Sequence, residues 1–127
     1  MPRLKIAGTE RSPEVDFDFD THRLRLRGES YPEDAATFYG PVFEALDDYL
    51  SEPRDCAFEV ELVYFNSSSA KAIMSLLEKL DEAGRSGKVT INWYYDEEDD
   101  TMRELGEEFG EDLKHAAFHL KKLSAAK

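Results

Sequence analysis

The sequence predicts an α/β domain in which a mixed β-sheet carries its helices mainly on one face. In the second half of the chain, predicted strands alternate with predicted helices, which is the order of parallel strands joined by helical connections. Near the start, two segments of alternating polarity are separated by only two residues, which predicts an antiparallel hairpin. The 127 residues suffice for one domain with a core and are too few for two, so we expect residues 1–127 to form a single domain.

Composition restricts the partners and the compartment. Hydrophobic residues make up 41% of the chain, enough for a core, whereas the formal net charge of −12 disfavours nucleic acid and anionic membranes as partners. Basic protein surfaces are the better complement. Cys56 is the one cysteine, so we expect a buried thiol, no intrachain disulfide and a reducing compartment. Because there is neither a signal peptide nor an apolar run of about 20 residues, we expect a cytoplasmic protein.

Three strands are predicted before the first helix. A short strand covers residues 4–8, and the hairpin pairs residues 15–20, with acidic side chains outward, with residues 23–27, with basic ones outward. Thr21 and His22 form the predicted two-residue turn. Each opposite-charge pair across such a hairpin contributes about 0.2–1 kcal/mol and helps to fix the register. The charged ladder is most simply sheet surface, with a docking surface as the alternative, and contains Asp16, Asp18, Asp20, Arg23, Arg25 and Arg27.

The first helix is predicted to follow residues 29–34 and to end near residues 50–51. Ser30 can cap it, and Pro32 suits the first helical position because that position needs no backbone N–H. Pro41 lies inside the apolar pattern of this helix, where a proline removes one hydrogen bond and collides with the preceding turn. We therefore expect a kink or two short helices at Pro41.

The stretch of residues 58–80 organises the predicted fold. Residues 58–65 alternate apolar and acidic side chains and then become continuously apolar, as a strand does when it enters the buried centre of a sheet. From Ala70 onward, apolar residues recur at spacings of three and four, which predicts a helix with one buried stripe. The junction between the two offers side-chain oxygens that can cap the helix, and it consists of Asn66, Ser67, Ser68 and Ser69.

The three consecutive serines of this junction exceed what a single cap requires. A helix N-terminus has a partial positive charge and free N–H groups, which can hold a phosphate on one of these hydroxyl groups without a nearby Lys or Arg. Ordinary capping is the simpler interpretation, and a phosphorylation switch is the alternative hypothesis.

The strand predicted over residues 89–95 ends in an aromatic cluster, Trp93, Tyr94 and Tyr95. Such residues most simply pack in the core. Side chains alternate along a strand, however, so at least one ring must face the other side. An exposed ring close to the serine junction would anchor a binding partner.

An acidic helix is predicted over residues 96–113. Between Asp96 and Asp112 there are ten carboxylates against one base, Arg103. That face is either solvated or a docking surface, and it lacks the ligand spacing of a calcium loop.

The sequence offers no catalytic or metal-binding motif. Residues 116–123 predict an edge strand or a short helix, and His115 with His119 lacks a matched third ligand for zinc. We find no nucleophile elbow, no Gly-rich phosphate loop and no histidine placed to activate Ser67. We therefore predict a protein that is not an enzyme and that has no metal and no cofactor.

Three separated motifs resemble the SiaC family of bacterial regulatory phosphoproteins. They are Gly-Glu-Ser-Tyr-Pro-Glu at residues 28–33, Tyr-Phe-Asn-Ser-Ser-Ser-Ala-Lys-Ala-Ile-Met at residues 64–74, and Ile-Asn-Trp-Tyr-Tyr-Asp at residues 91–96. The resemblance implies a fold like that of STAS domains, the anti-sigma-factor-antagonist type, in which a Ser or Thr at the strand-to-helix junction is phosphorylated. That position falls on Ser67, with Ser68 as the second choice.

The resemblance also implies a signalling role. A cognate protein kinase would phosphorylate the junction, a PP2C-type phosphatase would remove the phosphate, and the unphosphorylated form would bind and activate a diguanylate cyclase, which raises cyclic di-GMP. The partner is expected to contact the junction, the start of the following helix and the exposed aromatic side chains, a set drawn from Asn66, Ser67, Ser68, Ser69, Lys71, Trp93, Tyr94 and Tyr95.

Two other functions stay open. An anti-sigma factor antagonist would use the same junction, although the sigma-factor branch of STAS domains has Asp before the phosphorylated residue and Gly two residues after it. This chain has Asn66 and Ser69 at those places, which favours the SiaC family. A small serine hydrolase would instead use Ser67 or Ser68 as its nucleophile.

Overall fold

A computed structural model describes residues 3–123 of the chain. In this range one sheet and three helices follow each other in the order β1 (Leu4–Ile6), β2 (Glu14–Asp18), β3 (Arg23–Ser30), α1 (Ala35–Tyr49), β4 (Cys56–Phe65), α2 (Ser67–Ala83), β5 (Val89–Tyr95), α3 (Asp100–Glu111) and β6 (Ala117–Lys122). The six strands lie in the sheet in chain order. Neighbours from β1 to β3 are antiparallel and neighbours from β3 to β6 are parallel, which confirms the predicted mixed sheet.

The helices pack on one face of the sheet. Buried side chains from the strands, such as Phe17, Phe58 and Trp93, form a single cluster with Leu46 of α1 and Leu77 of α2. Residues that alternate with these on the strands point to the opposite face, which is polar. The predicted placement of the helices on one face is therefore confirmed. Over residues 3–123, no helix combines the length and apolar character that crossing a membrane requires.

The hairpin has a longer loop than the sequence predicted. Asp18 pairs with Arg23, so residues 19–22 form the connection and the expected two-residue turn is wrong. The cause is Phe19, whose side chain turns into the core and lies 4.9 Å from the ring of Tyr49. His22 completes the loop with a left-handed backbone, at φ 61°. The pairing of β2 with β3 therefore differs from the register that a two-residue turn would give. The aligned pairs are Glu14 with Arg27, Asp16 with Arg25 and Asp18 with Arg23.

The α1 helix begins later than predicted and is not broken. Its N-cap is Asp34, which accepts a hydrogen bond from the backbone N–H of Thr37 at 3.1 Å, whereas Ser30 is the buried last residue of β3. Pro41 lies inside one continuous helix, so the alternative of two short helices is wrong. Gly40 precedes the proline and has no Cβ to collide with its ring, and Pro41 itself is exposed, so water can bond the carbonyl that loses its partner.

The C-terminal part closes the far side of the sheet. Residues 117–122 form the edge strand β6, so of the two predicted alternatives the edge strand is correct and the short helix is wrong. The α3 helix lies close to this edge because glycine faces it: a Cβ on Gly106 would lie 2.6 Å from Cδ1 of Trp93. Close packing there places the Trp93 indole where its Nε1 donates to the carbonyl of Met102 at 3.1 Å.

Candidate functional site

The strand-to-helix junction after β4 is a capped helix N-terminus. The Oδ1 of Asn66 accepts a hydrogen bond from the backbone N–H of Ser69 at 2.9 Å, and the Asn66 carbonyl accepts from Ala70 at 2.8 Å. Asn66, one of the four junction residues predicted as possible caps, is therefore the N-cap. The helix starts at Ser67 rather than near Ala70, so the three serines form its first turn and are not a loop.

The three serines of this turn have different surroundings. Ser67 and Ser68 are exposed, whereas Ser69 is fully buried. Ser30 Oγ donates to Ser69 Oγ at 2.7 Å, and it lies 2.6 Å from the hydroxyl of Tyr39, which must then donate to Ser30. Burial raises the pKa of Tyr39, although its hydrogen bonds with the two serines oppose the rise, so the phenol keeps the proton that it donates. Of these three hydroxyl groups, those of Ser67 and Ser68 are therefore the ones open to modification from solvent.

The two exposed serines differ in the charges around them. Ser68 and Lys71 line a hollow together with Glu33 and Asp34, which precede α1, and Ser67 does not line it. Asp34 is ionised, because hydrogen bonds from the backbone and side chain of Thr37 lower its pKa. A phosphate on Ser68 would share this hollow with a net negative charge, because the two carboxylates outnumber the one ammonium group of Lys71. The geometry therefore favours Ser67 as the phosphoacceptor.

A β-bulge in β4 shapes the surface beside Ser67. Leu62 pairs with Gly28 and Tyr64 pairs with Glu29, so Val63 is an extra residue without a partner on β3. The bulge reverses the alternation of side chains, and Phe65 enters the core, where its ring lies 6.2 Å from that of Trp93. Tyr64 stays on the surface.

The bulge leaves an apolar patch next to the first turn of α2. Val63 is 56% exposed and Tyr64 is 50% exposed. In the described part of the chain, these two are the large hydrophobic residues that are exposed to solvent. The Tyr64 ring packs edge-on against that of Tyr31, with the centroids 5.5 Å apart. We call Tyr31, Val63 and Tyr64 the tyrosine patch.

Sequence reasoning missed the tyrosine patch, although a signal for it was present. Residues 62–65 form a continuous apolar run, and helices on only one face of a sheet cannot bury both sides of such a run. Which members would be exposed depended on the bulge, which arises from pairing with β3.

The predicted aromatic cluster lies mostly in the core. Trp93 is fully buried and Tyr95 is 8% exposed, so neither ring faces solvent. Tyr94 lies on the polar face of the sheet, where its hydroxyl donates to Oε1 of Glu59 at 2.8 Å. Of the three predicted contacts, Tyr94 is thus the one with a surface to offer a partner. Asn66, Ser67, Ser68 and Lys71 do lie together at the start of α2.

The histidines of residues 3–123 do not lie beside Ser67. His22 lies at the opposite end of β4, where its carbonyl accepts from Ala57, and its ring bonds Tyr49. His115 follows α3 and His119 lies within β6. Between residues 3 and 123, no group of three or more His, Cys, Asp or Glu side chains is arranged to hold a metal ion.

Comparison with known proteins gives consistent matches over nearly the whole chain. Residues 6–123 match the family model for SiaC family regulatory phosphoproteins. An uncharacterized protein of Pseudomonas aeruginosa strain UCBPP-PA14 is 37% identical over 114 residues, which cover 88% of this chain and 90% of that protein.

Solved structures of SiaC from Pseudomonas aeruginosa share the fold. The apo form is 34% identical, covers 95% of this chain and 99% of its own, and superposes with a TM-score of 0.88. A second structure is the complex of the diguanylate cyclase SiaD with its activator SiaC. The matching chain of that complex is 33% identical, the match covers 94% of this chain and 99% of that chain, and the TM-score is 0.89.

Proposed function

This chain belongs to the SiaC family of regulatory phosphoproteins, and from that premise we propose that residues 1–127 act as one regulatory domain that binds and activates a diguanylate cyclase while Ser67 is unphosphorylated. A cognate kinase would switch the protein off and a PP2C-type phosphatase would switch it on again. The observation that carries this proposal is the exposed Ser67 in the first turn of α2, directly beside the exposed Tyr64. The related SiaC of Pseudomonas aeruginosa is an activator of the cyclase SiaD.

Three features support Ser67 as the modified residue. Its side chain is exposed, it lies at the positive end of α2, and the first turn of that helix contains no acidic residue. A negative charge at such a place stabilises a helix by about 0.3–1 kcal/mol, so the modified protein stays folded.

Phosphorylation would act at the interface rather than on the fold. A hundredfold loss of affinity corresponds to about 2.7 kcal/mol, which exceeds the ~0.3–1 kcal/mol of a helix-dipole interaction. A phosphate adds about −1.5 to −2 charges, and taking that charge out of water against an apolar partner costs several kcal/mol. The tyrosine patch is such an apolar contact surface, so direct occlusion accounts for the switch.

The two other functions that the sequence left open receive less support. A serine hydrolase needs a base beside its nucleophile, and the histidines of residues 3–123 lie elsewhere. For a sigma-factor antagonist, the usual glycine two residues after the phosphoacceptor is here Ser69, whose side chain has a structural role as the acceptor from Ser30. We place the protein in the cytoplasm, where a kinase and a cyclase find their nucleotides.

A reconstitution with purified proteins tests the proposal. Each diguanylate cyclase of the source genome, with SiaD as a reference, is mixed with the chain, and binding is followed by calorimetry and cyclic di-GMP production by chromatography. We expect one cyclase to bind the unmodified chain and to become more active. Phosphorylation of the chain by its kinase should abolish both effects. The absence of any binding cyclase, or equal activation by the phosphorylated chain, would overturn the proposal.

A further inference from the structure

The exposure of the tyrosine patch results from the β-bulge at Val63. If side chains alternated regularly after Leu62, Tyr64 would lie on the buried side of the sheet, two positions further along β4. The bulge instead turns Tyr64 outward, and Gly28, where the register between β3 and β4 shifts, has a positive φ of 118° that favours glycine. Bulges often direct a side chain toward a functional surface. An aromatic ring held outward in this way suits a binding anchor.

The charges beside the patch indicate the character of its partner. Val63 and Tyr31 line a hollow together with Glu10 and Glu29, and the other lining residues are Thr9 and Gly28. Among the residues that the structure describes, no Lys or Arg lines this hollow. A partner that fills it therefore meets two carboxylates beside the Tyr31 ring, and an arginine side chain can pair with the carboxylates and stack on a ring face.

Continuity with Ser67 connects the patch to the regulatory site. Tyr64 and Ser67 are separated by two residues, and the backbone N–H of Asn66 donates to the carbonyl of Ser30, directly before Tyr31. Neither Ser67 nor Tyr64 lines the acidic hollow. A phosphate on Ser67 would therefore meet the part of a partner that covers Tyr64. An apolar contact is what such a charge disrupts.

We propose that the tyrosine patch is the anchor for the diguanylate cyclase, and that the cyclase inserts an apolar segment carrying a Lys or Arg into the hollow between Tyr31 and Val63. This inference rests on the proposed function and adds to it the docking surface and the chemistry of the partner. It replaces Trp93 and Tyr95, which are buried, with Tyr64 as the main aromatic contact.

Substitutions in the patch test the apolar half of the inference. Tyr64→Ala and Val63→Ser should each weaken binding of the cyclase that binds the wild-type chain at least tenfold in calorimetry. Leu113→Ala is the control, because it truncates a partly exposed apolar side chain after α3, outside the tyrosine patch, and it should bind as the wild type does. Circular dichroism should show the same helix and strand content for all three variants, since the substituted side chains are at least partly exposed.

Substitutions in the hollow test the charged half. The double variant Glu10→Gln with Glu29→Gln should bind at least tenfold more weakly and lose much of the salt dependence of binding. Its matched control is Glu108→Gln with Glu111→Gln, which removes two exposed carboxylates from α3 and should leave the affinity unchanged.

The outcomes separate this inference from the proposed function. If the wild-type chain binds and activates a cyclase but the patch variants bind equally well, the docking surface is wrong and the function stands. If the control variant on α3 is weakened and the hollow variant is not, the partner uses the acidic helix instead, and the inference is again wrong. If the wild-type chain binds no cyclase, the proposed function itself fails.

Discussion

Ser30 donates a hydrogen bond to Ser69 across 2.7 Å, and both side chains are fully buried. The two residues are 39 positions apart in the sequence. Ser30 ends β3 and Ser69 lies in the first turn of α2, so the bond fixes the start of the helix against the sheet. The third serine of the junction therefore has a structural role, and the first two remain available to solvent.

Removing the Ser69 hydroxyl should destabilise the protein. Ser69→Ala leaves the Ser30 hydroxyl without its acceptor in a buried place, and we expect the free energy of unfolding to fall by about 1–3 kcal/mol. Urea denaturation followed by circular dichroism measures this change. Ser68→Ala is the control, because it makes the same substitution one position earlier at an exposed site, where we expect a change within about 0.5 kcal/mol. Equal effects of the two substitutions would contradict a structural role for Ser69.

Phosphorylation should depend on Ser67. After incubation with the cognate kinase and ATP, intact mass should show one added phosphate on the wild-type chain and on Ser68→Ala, and none on Ser67→Ala. The reason is that Ser67 is exposed and does not share a hollow with Glu33 and Asp34. Tandem mass spectrometry locates the phosphate. Its presence on Ser12, or on Ser124, which lies outside the described residues, would show that the acceptor is not at the junction.

The sequence predicted features that depend on neighbouring residues, but not features that depend on contacts between residues far apart in the chain. Local periodicity gave the bounds of β5 correctly, at residues 89–95, and residue types placed the cap of α2 within residues 66–69, where Asn66 provides it. The bulge at Val63 and the burial of Ser69 both depend on pairing with β3, more than 30 residues earlier in the chain. A single sequence does not show which residues of two strands pair, and for that reason the exposure of the Tyr64 ring was not predicted.

The stability of the protein should fall in acid partly through Asp81. Its Oδ1 accepts the backbone N–H groups of Lys114, His115 and Ala116 at 3.0, 2.7 and 2.9 Å, and holds the segment after α3 against α2. Burial opposes ionisation of this carboxyl, but the three hydrogen bonds outweigh it and lower the pKa below the ordinary value of 3.8. The stabilising contribution is therefore complete above pH 3.8 and is lost as the pH falls through the pKa of the folded state.

Asp81→Ala measures that contribution. Urea denaturation should show the variant less stable than the wild type at neutral pH, and the difference should shrink below pH 3.8 as the carboxyl of the wild type is protonated. Glu82→Ala is the neighbouring control, since its exposed side chain makes a surface ion pair with Arg85 and should contribute little at either pH. A difference for Asp81→Ala that stays constant with pH would show that the effect comes from packing.

A charge at position 67 should impair binding while the protein stays folded. We expect Ser67→Asp to lose about a hundredfold in affinity for the cyclase, which corresponds to about 2.7 kcal/mol, because the charge would be desolvated against an apolar partner. Thermal unfolding should be unchanged or slightly higher, since the charge suits the helix N-terminus. Ser67→Asn is the uncharged control of similar size and should keep its affinity. Gross unfolding of Ser67→Asp in circular dichroism would contradict an exposed switch position.

Amide NMR spectra of the phosphorylated and unphosphorylated protein decide how the switch operates. If the phosphate occludes the docking surface directly, chemical shifts should change only near Ser67, which includes the tyrosine patch and the first turn of α2. The physical reason is that a local dipole interaction of about 0.3–1 kcal/mol is too small to rearrange a helix that the buried Ser30 and Ser69 hold in place. The spectrum of Ser67→Asn serves as the reference for a change of side chain without charge. Shifts that spread through the β2–β3 hairpin and α3 would show a conformational switch instead, and would remove the basis for direct occlusion.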